Sequence, residues 1–312
     1  MKKVFIDGQA GTTGLQIHQR LAQRKDIELF FLPEERRKDP AARQEALNQA
    51  DVAFLCLPDA AAREAVALVE NPETVIIDTS TAHRTDPAWT YGFPELSPQH
   101  KQAIRQAKRI ANPGCHATGF ISIVYPLVAS GLLPEQTQLT CFSLTGYSGG
   151  GKKMIAQYEE EKTPAMESPA LYGLGQEHKH LPEMQKLCGL QAAPVFCPIV
   201  DDYYKGMATT VPLQSSWLRE PVSPEQLKTV LRDWYGEQPL IRVLSAEEAA
   251  IDGRLYAGTM AGKDALELIV SGNSQRITVT ARFDNLGKGA SGAAVQNMNL
   301  RLGLGEYEGL EL

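Results

Sequence analysis

No stretch of this chain approaches the ~20 consecutive apolar residues that a membrane-spanning helix needs. The first residues, Met1-Lys2-Lys3-Val4, lead directly into a predicted strand and include no apolar segment of the kind found in a secretory signal. Internal repeats and low-complexity segments are also missing. We therefore expect a cytoplasmic protein that does not bind a membrane.

Cysteine is scarce, and the overall charge is only moderately acidic. The five cysteines are odd in number and scattered, which does not suggest a disulfide scaffold and favours a reducing compartment. They form no Cys-x-x-Cys pair, so we expect no metal site. The formal net charge of −6 gives no reason to expect binding to nucleic acid. With 312 residues, 43% of them hydrophobic, the chain is long enough for about two globular domains.

Strands alternate with helices in the first third of the chain. The apolar runs 52–58 and 75–78 predict buried strands, and residues 60–69 predict a helix between them. Such alternation is typical of an α/β fold with a parallel, doubly wound sheet, which binds ligands at the carboxyl ends of its strands. We assign residues 1–112 to a Rossmann-type dinucleotide-binding domain, completed by a C-terminal helical segment at 290–312.

A glycine-rich turn lies between the first predicted strand, residues 4–7, and a predicted helix. Glycines at such spacings let the backbone approach a pyrophosphate, and the helix N-terminus attracts its charge. An ordinary tight turn would explain the same sequence, but the strand and the helix are where dinucleotide binding needs them. We expect the cofactor at Gly8, Gly11, Thr12, Thr13 and Gly14.

The residues after the second predicted strand, 27–32, bear on the choice of cofactor. Glu34-Glu35 is suited to the ribose hydroxyl of NAD, whereas Arg36-Arg37-Lys38 is suited to the 2′-phosphate of NADP. A solvated surface loop would explain the basic run as well. We expect NADPH, with Arg36 as a cofactor-binding residue.

Helices become fewer in the second part of the chain, residues 113–289. Strands are predicted at 138–144, 195–200, 208–213, 266–272 and 276–283. A helix is predicted to begin at Ser223-Pro224, with Ser as its N-cap. The pattern predicts an α+β domain with a mainly antiparallel sheet, which would carry catalysis and substrate binding.

Asn112-Pro113-Gly114-Cys115-His116 places a cysteine at a sharp turn, directly before an apolar, helix-compatible stretch. Unpaired amides at a helix N-terminus and the helix dipole favour a thiolate. A buried cysteine that acts as a small hydrophobic side chain is the alternative. We interpret Cys115 as a nucleophile.

Three polar segments carry further candidate residues. The long loop 78–95 contains Arg84, a candidate anion binder. The glycine-rich, cationic segment 145–153 is predicted to be a loop whose backbone amides bind an anion. Residues 176–183 contain His178 and His180, and histidine is the side chain best suited to proton transfer near neutral pH. A zinc site and a plain surface segment are the alternatives there.

Together these features define a narrow chemistry. A thiolate attacks an acyl phosphate, phosphate leaves, and hydride from a nicotinamide reduces the thioester to an aldehyde. Histidine exchanges a proton with the thiohemiacetal oxygen, and backbone N–H groups near Cys115 stabilise its charge. Cationic side chains bind the phosphate and any substrate carboxylate.

With these motifs the sequence resembles the N-acetyl-γ-glutamyl-phosphate reductase family, in the shorter form of its members. The segments that carry the resemblance run from residue 6 to 300, which is essentially the whole chain. They are 8–14, 78–84, 91–96, 112–115 with Thr118, 148–152, 178–180 with Pro182-Glu183, and 288–297.

The resemblance implies a semialdehyde dehydrogenase-like fold and a homo-oligomer, dimer or tetramer. It implies NADPH-dependent reduction of N-acetyl-L-glutamyl 5-phosphate to N-acetyl-L-glutamate 5-semialdehyde in L-arginine biosynthesis, through a thioester on Cys115. His178 or His180 supplies the acid–base group, with His178 favoured. The implied substrate-binding residues are Arg84, Lys205 and Glu183, and the further cofactor-binding residues are Ser80, Ser148, Gly149 and Asn297. Lys205 stands where longer members of the family carry Arg, and Lys lacks the bidentate fork.

Two alternatives remain open. One is a related acyl-phosphate reductase, such as aspartate-semialdehyde dehydrogenase or an enzyme for a carrier-bound substrate. The other is a dinucleotide-sensing or scaffold protein without catalysis, which would have little use for a cysteine at a Pro-Gly turn.

Overall fold

The computed structural model describes residues 1–236 and 238–312, and the chain divides into two compact units. Unit 1 comprises Met1–Gly114 and Ala290–Leu310, so both ends of the chain contribute to it. Unit 2 comprises Cys115–Gly289 and Glu311–Leu312.

The described residues contain thirteen strands and ten α-helices, joined by loops and short 3₁₀ segments. The strands are β1 (Lys2–Asp7), β2 (Ile27–Phe30), β3 (Val52–Leu55), β4 (Val75–Asp78), β5 (Thr90–Tyr91), β6 (Arg109–Ala111), β7 (Thr140–Gly146), β8 (Ala170–Leu171), β9 (Val195–Asp201), β10 (Met207–Gln214), β11 (Ile241–Ser245), β12 (Leu266–Gly272) and β13 (Arg276–Phe283). The helices are α1 (Thr12–Leu21), α2 (Pro40–Gln49), α3 (Asp59–Ala67), α4 (Pro98–Gln106), α5 (Cys115–Ala129), α6 (Gly151–Glu159), α7 (Leu181–Leu187), α8 (Pro224–Tyr235), α9 (Ala246–Ala249) and α10 (Gly292–Leu302).

Unit 1 is built on a parallel sheet with the strand order β2-β1-β3-β4-β6-β5. Apolar residues of its central strands are buried on both faces, as parallel strands covered by helices require. One core cluster joins Val4, Phe54 and Ile77 of the sheet to Val295 and Met298 of α10. The C-terminal helix is therefore part of the core of unit 1.

Unit 2 is built on a mixed sheet with the strand order β11-β12-β13-β10-β7-β9-β8. The pairs β7–β10, β10–β13, β12–β13 and β8–β9 are antiparallel, whereas β7–β9 and β11–β12 are parallel. Helix α5 packs on β10 and β13. The two units confirm the predicted fold class, a parallel doubly wound sheet plus an α+β unit.

Two exposed apolar side chains lie on one face of this mixed sheet, in strands β7 and β9. In β7 and β9, Cys141, Ser143 and Phe196 are buried, whereas Phe142 and Val195 point to the other face and are 42% and 56% exposed. This period-two alternation leaves large apolar side chains on one face of the sheet.

Several local predictions can be compared with the structure. Helix α8 begins after its N-cap residue Ser223, as predicted. The Ser223 hydroxyl accepts a hydrogen bond from the Gln226 amide, and the two residues form a capping box. Strands β4, β12 and β13 have the predicted bounds. The prediction of a loop over 145–153 is wrong, because a 3₁₀ turn at Tyr147–Gly150 leads directly into α6. Among the described residues, no helix is both long and apolar enough to cross a membrane.

Candidate active site

Helix α5 begins at Cys115, the residue that follows the Asn112-Pro113-Gly114 turn. Its half-buried thiol therefore lies in the first turn of the helix, where backbone amides have no intrahelical partner. Gly289 packs against it: a Cβ added there would lie 3.0 Å from Cβ of Cys115 and 3.2 Å from the Asp284 carbonyl oxygen. Backbone amides of the first helical turn therefore lie on one side of Cys115, and Gly289, which has no side chain, lies on another.

His178 and His180 lie side by side in unit 2, immediately before α7. Their ring centroids are 4.8 Å apart at 81°. The His180 backbone amide donates to Nδ1 of His178 at 3.2 Å, which places the proton of a neutral His178 ring on Nε2. Burial, with a smaller contribution from Lys179, lowers the pKa of His178 to about 4. His178 is therefore neutral near pH 7 and presents an N–H donor.

His116 joins this pair to the helix of Cys115. Its ring centroid lies 5.5 Å from that of His178 and 5.6 Å from that of His180. It is 3% exposed, and burial lowers its pKa to about 3, with smaller contributions from His178 and Lys179. A third, permanently neutral imidazole thus follows the candidate nucleophile in the chain and contacts the histidine pair.

Tyr172 contacts two of these histidines, His116 and His178. Its hydroxyl lies 2.6 Å from Nε2 of His116, and its ring is 5.9 Å from that of His178. Burial raises the pKa of Tyr172, and the negative charge of Cys115 raises it further. The side chain remains a neutral phenol at neutral pH.

His116 and Tyr172 were missed by the sequence analysis. A signal for His116 was available: it directly follows Cys115 and is a polar residue at the start of an otherwise apolar helix. Tyr172 stands six residues before His178, but nothing in the sequence pairs it with a histidine 56 positions away.

The remaining predicted residues of unit 2 occupy polar positions around the same strands. Lys205 lies 3.6 Å from the buried carboxylate of Asp284, and Glu183 is buried in the first turn of α7. Ser148 is also buried and accepts a hydrogen bond from Asn285 at 3.0 Å, next to Gly149 in the 3₁₀ turn.

In unit 1, the turn between β1 and α1 has the geometry that a pyrophosphate needs. Gly8 has φ +88°, and a Cβ there would lie 2.3 Å from the Cys56 carbonyl oxygen. The N-cap residue of α1, Gly11, provides no side-chain cap for the first amides of the helix. The hydroxyl oxygen of Thr12 is buried and has no hydrogen-bond partner among the residues that the structure describes. An unsatisfied hydroxyl and uncapped helix amides at one point fit the phosphates of a dinucleotide.

Arg84 and Ser80 are held at the carboxyl end of β4. The Arg84 guanidinium donates to the carbonyl oxygens of Asn112 and Thr79, both at 2.9 Å. Ser80 donates its hydroxyl proton to Asp78 at 2.7 Å. Asp78 also lies 2.7 Å from Nδ1 of the buried His83.

Asn297 on α10 and Arg36 after β2 differ strongly in their surroundings. Asn297 is fully buried and donates to the Gly92 carbonyl oxygen at 2.9 Å, but its own Oδ1 has no hydrogen-bond partner. An unused buried acceptor fits an amide ligand such as a nicotinamide carboxamide. Arg36 is exposed, 3.9 Å from Asp39, and its neighbour Arg37 pairs with Glu34 at 2.9 Å.

Comparison with known proteins places the two units in one enzyme group. Residues 35–104 match the family described as semialdehyde dehydrogenase, NAD binding domain, and residues 115–285 match semialdehyde dehydrogenase, dimerisation domain. The chain is 47% identical to N-acetyl-gamma-glutamyl-phosphate reductase 2 of Pseudomonas putida, over 96% of each chain. It is 48% identical to the reductase of Sinorhizobium medicae, over 96% of this chain and 98% of the relative. The protein belongs to the N-acetyl-γ-glutamyl-phosphate reductase family.

Solved structures agree on the fold of this reductase-family chain. Aspartate semialdehyde dehydrogenase II of Vibrio cholerae, complexed with ASA, superposes with a TM-score of 0.74 at 18% identity, over 97% of this chain and 98% of that one. Aspartate semialdehyde dehydrogenase of Candida albicans, solved with NADP, gives a TM-score of 0.67 at 15% identity, over 96% and 98% of the two chains. At such identities the likeness concerns the fold alone. It confirms the predicted semialdehyde dehydrogenase-like architecture.

Proposed function

We propose that this chain reduces N-acetyl-L-glutamyl 5-phosphate to N-acetyl-L-glutamate 5-semialdehyde and phosphate with NADPH, in L-arginine biosynthesis. One observation carries the proposal: a cysteine begins a helix beside three clustered imidazoles, in a chain 44–48% identical to reductases named for this substrate. The aspartate-semialdehyde alternative is supported only by structures at 18% identity or less among those described above.

Cys115 is the nucleophile of the proposed reaction. Its thiolate attacks the acyl carbon, and the phosphate departs with the C–O bonding electrons, leaving a thioester on sulfur. The residues proposed below for the cofactor site would hold a dihydronicotinamide dinucleotide, which would supply the hydride needed to reduce that carbonyl carbon. Amides of the first turn of α5 are proposed to donate to the oxygen as it becomes negative, which would lower the barrier for addition.

His178 is the proposed acid–base residue. Its Nδ1 accepts the His180 amide, so the proton on Nε2 is the one available to the thiohemiacetal oxygen. The oxygen accepts a hydrogen bond from that N–H as the thiohemiacetal oxyanion forms, and the same electron pair then re-forms the C=O bond as the C–S bond breaks, which releases the aldehyde and the thiolate. His180 holds the ring of His178 in this orientation.

Three charged residues are proposed to bind substrate anions or orient the groups that do. Arg84, whose guanidinium donates to the carbonyl oxygens of Asn112 and Thr79, is proposed for the anionic end of the substrate because a guanidinium can bind a carboxylate in bidentate geometry. Lys205 is 37% exposed and lies 3.6 Å from Asp284, and its ammonium group is proposed to bind the phosphate. Glu183 is proposed to orient the histidine segment that precedes it.

The NAD-binding family description supports a nicotinamide dinucleotide, and we propose NADPH. Gly8, Gly11, Thr12, Thr13 and Gly14 form the proposed pyrophosphate site, and Arg36 the site of the 2′-phosphate. Ser80, Ser148, Gly149 and Asn297 are proposed to lie along the nicotinamide half. The support is the uncapped start of α1, the unpartnered Thr12 hydroxyl and the unpartnered Oδ1 of Asn297.

A homo-oligomer, dimer or tetramer, is also proposed, acting in the cytoplasm. The dimerisation-domain family covers residues 115–285, and Phe142 and Val195 lie on one apolar sheet face within it. A reducing compartment suits a chain whose five cysteines are all thiols, one of them the proposed nucleophile.

The reverse reaction tests the proposal directly. Absorbance at the nicotinamide band would be followed with N-acetylglutamate semialdehyde, phosphate and NADP⁺, beside aspartate semialdehyde as the control substrate. Phosphate-dependent reduction of NADP⁺ with the acetylated aldehyde is expected. Activity with aspartate semialdehyde alone would keep the chemistry and overturn the substrate.

Replacing Cys115 by Ala tests the thioester mechanism. The variant should lose turnover by more than about 10³-fold yet bind NADPH with unchanged affinity by fluorescence titration, since the sulfur is needed only for the covalent step. Cys188→Ala, which removes a thiol buried at the end of α7, is the matched control and should keep its activity. Near-normal turnover without Cys115 would exclude the covalent step.

A further inference from the structure

Four side chains of unit 2 form one continuous row of hydrogen bonds, which runs through His116, the residue after Cys115, and ends at Tyr172. The hydroxyls of Thr209 and Ser143 lie 2.8 Å apart. Ser143 lies 2.7 Å from Nδ1 of His116, whose Nε2 lies 2.6 Å from the Tyr172 hydroxyl. Strand β10, strand β7, helix α5 and the segment after β8 each contribute one member. Thr209, Ser143 and His116 are at most 3% exposed, so water does not compete for their hydrogen bonds.

A neutral imidazole carries a single proton, so the row has two directions. In the first, Thr209 donates to Ser143, Ser143 donates to Nδ1, and Nε2–H of His116 donates to the Tyr172 oxygen. In the second, every donor is reversed, starting from the Tyr172 hydroxyl and ending with Ser143 donating to Thr209.

The buried end of the row decides between the two directions. Ser143 is the only hydrogen-bond partner of the Thr209 hydroxyl among the described residues, and Thr209 is 0% exposed. In the second direction the Thr209 proton would have no acceptor, at a cost of about 1–3 kcal/mol for a buried unsatisfied donor. In the first, every buried hydroxyl proton has an acceptor. The phenol proton of Tyr172 is then the one left over, and Tyr172 is only half-buried.

We propose that His116 is a positioning residue of the Cys115 site. Its Nε2–H donor holds the Tyr172 oxygen and thereby leaves the Tyr172 proton for the negative charge that forms at Cys115. The reaction that uses this charge is the proposed function above, but the arrangement itself requires only the thiolate.

The surroundings of both residues agree with this role. Burial lowers the pKa of His116 to about 3, so the imidazole does not gain a second proton that would fill Nδ1 and break the bond from Ser143. The charge of Cys115 is one of the two causes that raise the pKa of Tyr172, which means that the phenol and the sulfur interact electrostatically. A phenol that keeps its proton is a donor to a neighbouring anion.

The tautomer of His116 is the first test, on the whole wild-type protein labelled with ¹⁵N-histidine. The chain has six histidines, and the signal lost in His116→Gln identifies the relevant ring. We expect one-bond coupling to a proton on Nε2 and an unprotonated Nδ1, unchanged from pH 8 to pH 5. A proton on Nδ1 would overturn the proposal.

Thiol alkylation of whole-chain variants is the second test. Tyr172→Phe removes the hydroxyl alone, and we expect the rate of Cys115 modification by iodoacetamide at pH 7 to fall about tenfold, as for the loss of one charge-assisted hydrogen bond. His116→Asn, whose short amide can reach the place of Nδ1 but not that of Nε2, should show the same fall. His116→Gln, whose amide can occupy the place of Nε2, should restore the rate to within about threefold of wild type.

Combining the changes separates positioning from a general structural effect. The double variant His116→Asn/Tyr172→Phe should react no more slowly than Tyr172→Phe alone, because both changes remove the same hydrogen bond. The proposal would be overturned if Tyr172→Phe were alkylated at the wild-type rate. It would also be overturned if the falls in alkylation rate of the two single variants added up in the double variant. Neither the tautomer nor the alkylation rate depends on substrate. Failure with the acetylated aldehyde would therefore count against the proposed function alone.

Discussion

Among single residues, His116 and His178 near Cys115 have pKa values well below that of an exposed histidine. Burial keeps His116 and His178 neutral at pH values where an exposed histidine, with a pKa of about 6.5, would be charged. A neutral ring has distinct donor and acceptor nitrogens; the His180 amide makes Nδ1 of His178 the acceptor, and for His116 we propose that Nδ1 accepts from Ser143. The site therefore has imidazoles of defined hydrogen-bond direction beside its thiol.

Stability should consequently fall in mild acid. The unfolded chain binds protons at these histidines below about pH 6.5, whereas the folded chain does not until about pH 4 or lower, so unfolding becomes easier as the pH falls through that window. For His116 alone the loss at pH 5 is about 2 kcal/mol relative to neutral pH. Urea denaturation at pH 7.5 and pH 5 measures it.

The variant His116→Gln gives the comparison. It should lose less stability than wild type between the two pH values, because one protonation linked to unfolding has been removed. Equal losses in both proteins would mean that His116 is protonated in the folded state.

Gly289→Ala is the second prediction at this scale. The added Cβ would come within 3.0–3.2 Å of Cβ of Cys115, the Asp284 carbonyl oxygen and the Phe283 ring, so we expect these neighbours, and with them the Cys115 side chain, to shift slightly. We expect a fall in kcat of about 10²-fold, as for a displaced reactive group, while NADPH binding is retained. Gly175→Ala, where a Cβ would meet nothing within 4 Å, is the control and should leave kcat almost unchanged.

What the sequence could predict of the site depended on how far apart the partners are in the chain. Cys115 and the His178/His180 pair stand in local contexts that suggest their chemistry, a Pro-Gly turn and a polar histidine segment. The contacts of His116 with Tyr172 and Ser143 join residues 56 and 27 positions apart, and only tertiary packing creates them. No local pattern encodes such a pair.

Among secondary-structure elements, the turn between β1 and α1 is sterically constrained at Gly8. Gly8 has a positive φ and also faces the Cys56 carbonyl oxygen, so two separate penalties oppose any side chain there. Strands β4, β12 and β13 were predictable because each is an apolar or alternating run bounded by polar or glycine residues. The start of α6 was not, because three consecutive glycines mask a helix that tertiary packing stabilises.

Gly8→Ala tests the crowding at this turn. The substitution should destabilise unit 1 by more than about 2 kcal/mol, because the strain of a positive φ and the backbone clash add. It should also weaken NADPH binding. Differential scanning calorimetry and a cofactor titration measure the two effects.

Gly131→Ala is the matched control, since Gly131 has φ +78° but a Cβ there would meet nothing within 4 Å. It should show the conformational penalty only, about 1 kcal/mol, with unchanged cofactor affinity. Similar losses in both variants would show that the contact with the Cys56 carbonyl is unimportant.

For the whole molecule, the proposed homo-oligomer can be tested at Phe142, an exposed apolar residue on one sheet face of unit 2. Phe142→Glu would place a charge among the side chains proposed to meet a second copy, where an unpaired charge is costly. Multi-angle light scattering should show a smaller species than wild type. Phe31→Glu, which changes an equally exposed aromatic residue outside that face, should keep the wild-type mass. A wild-type mass for Phe142→Glu would place the interface elsewhere.

The division of unit 1 between the two ends of the chain has a consequence for biosynthesis. Its first strands leave the ribosome before unit 2 is made, whereas Val295 and Met298, which complete its core, follow unit 2 in the chain. The residues of unit 2 from Cys115 to Gly289 are continuous and are synthesised before α10. During translation the sheet of unit 1 therefore keeps part of its apolar surface uncovered until α10 emerges, and in that interval it is open to non-native association.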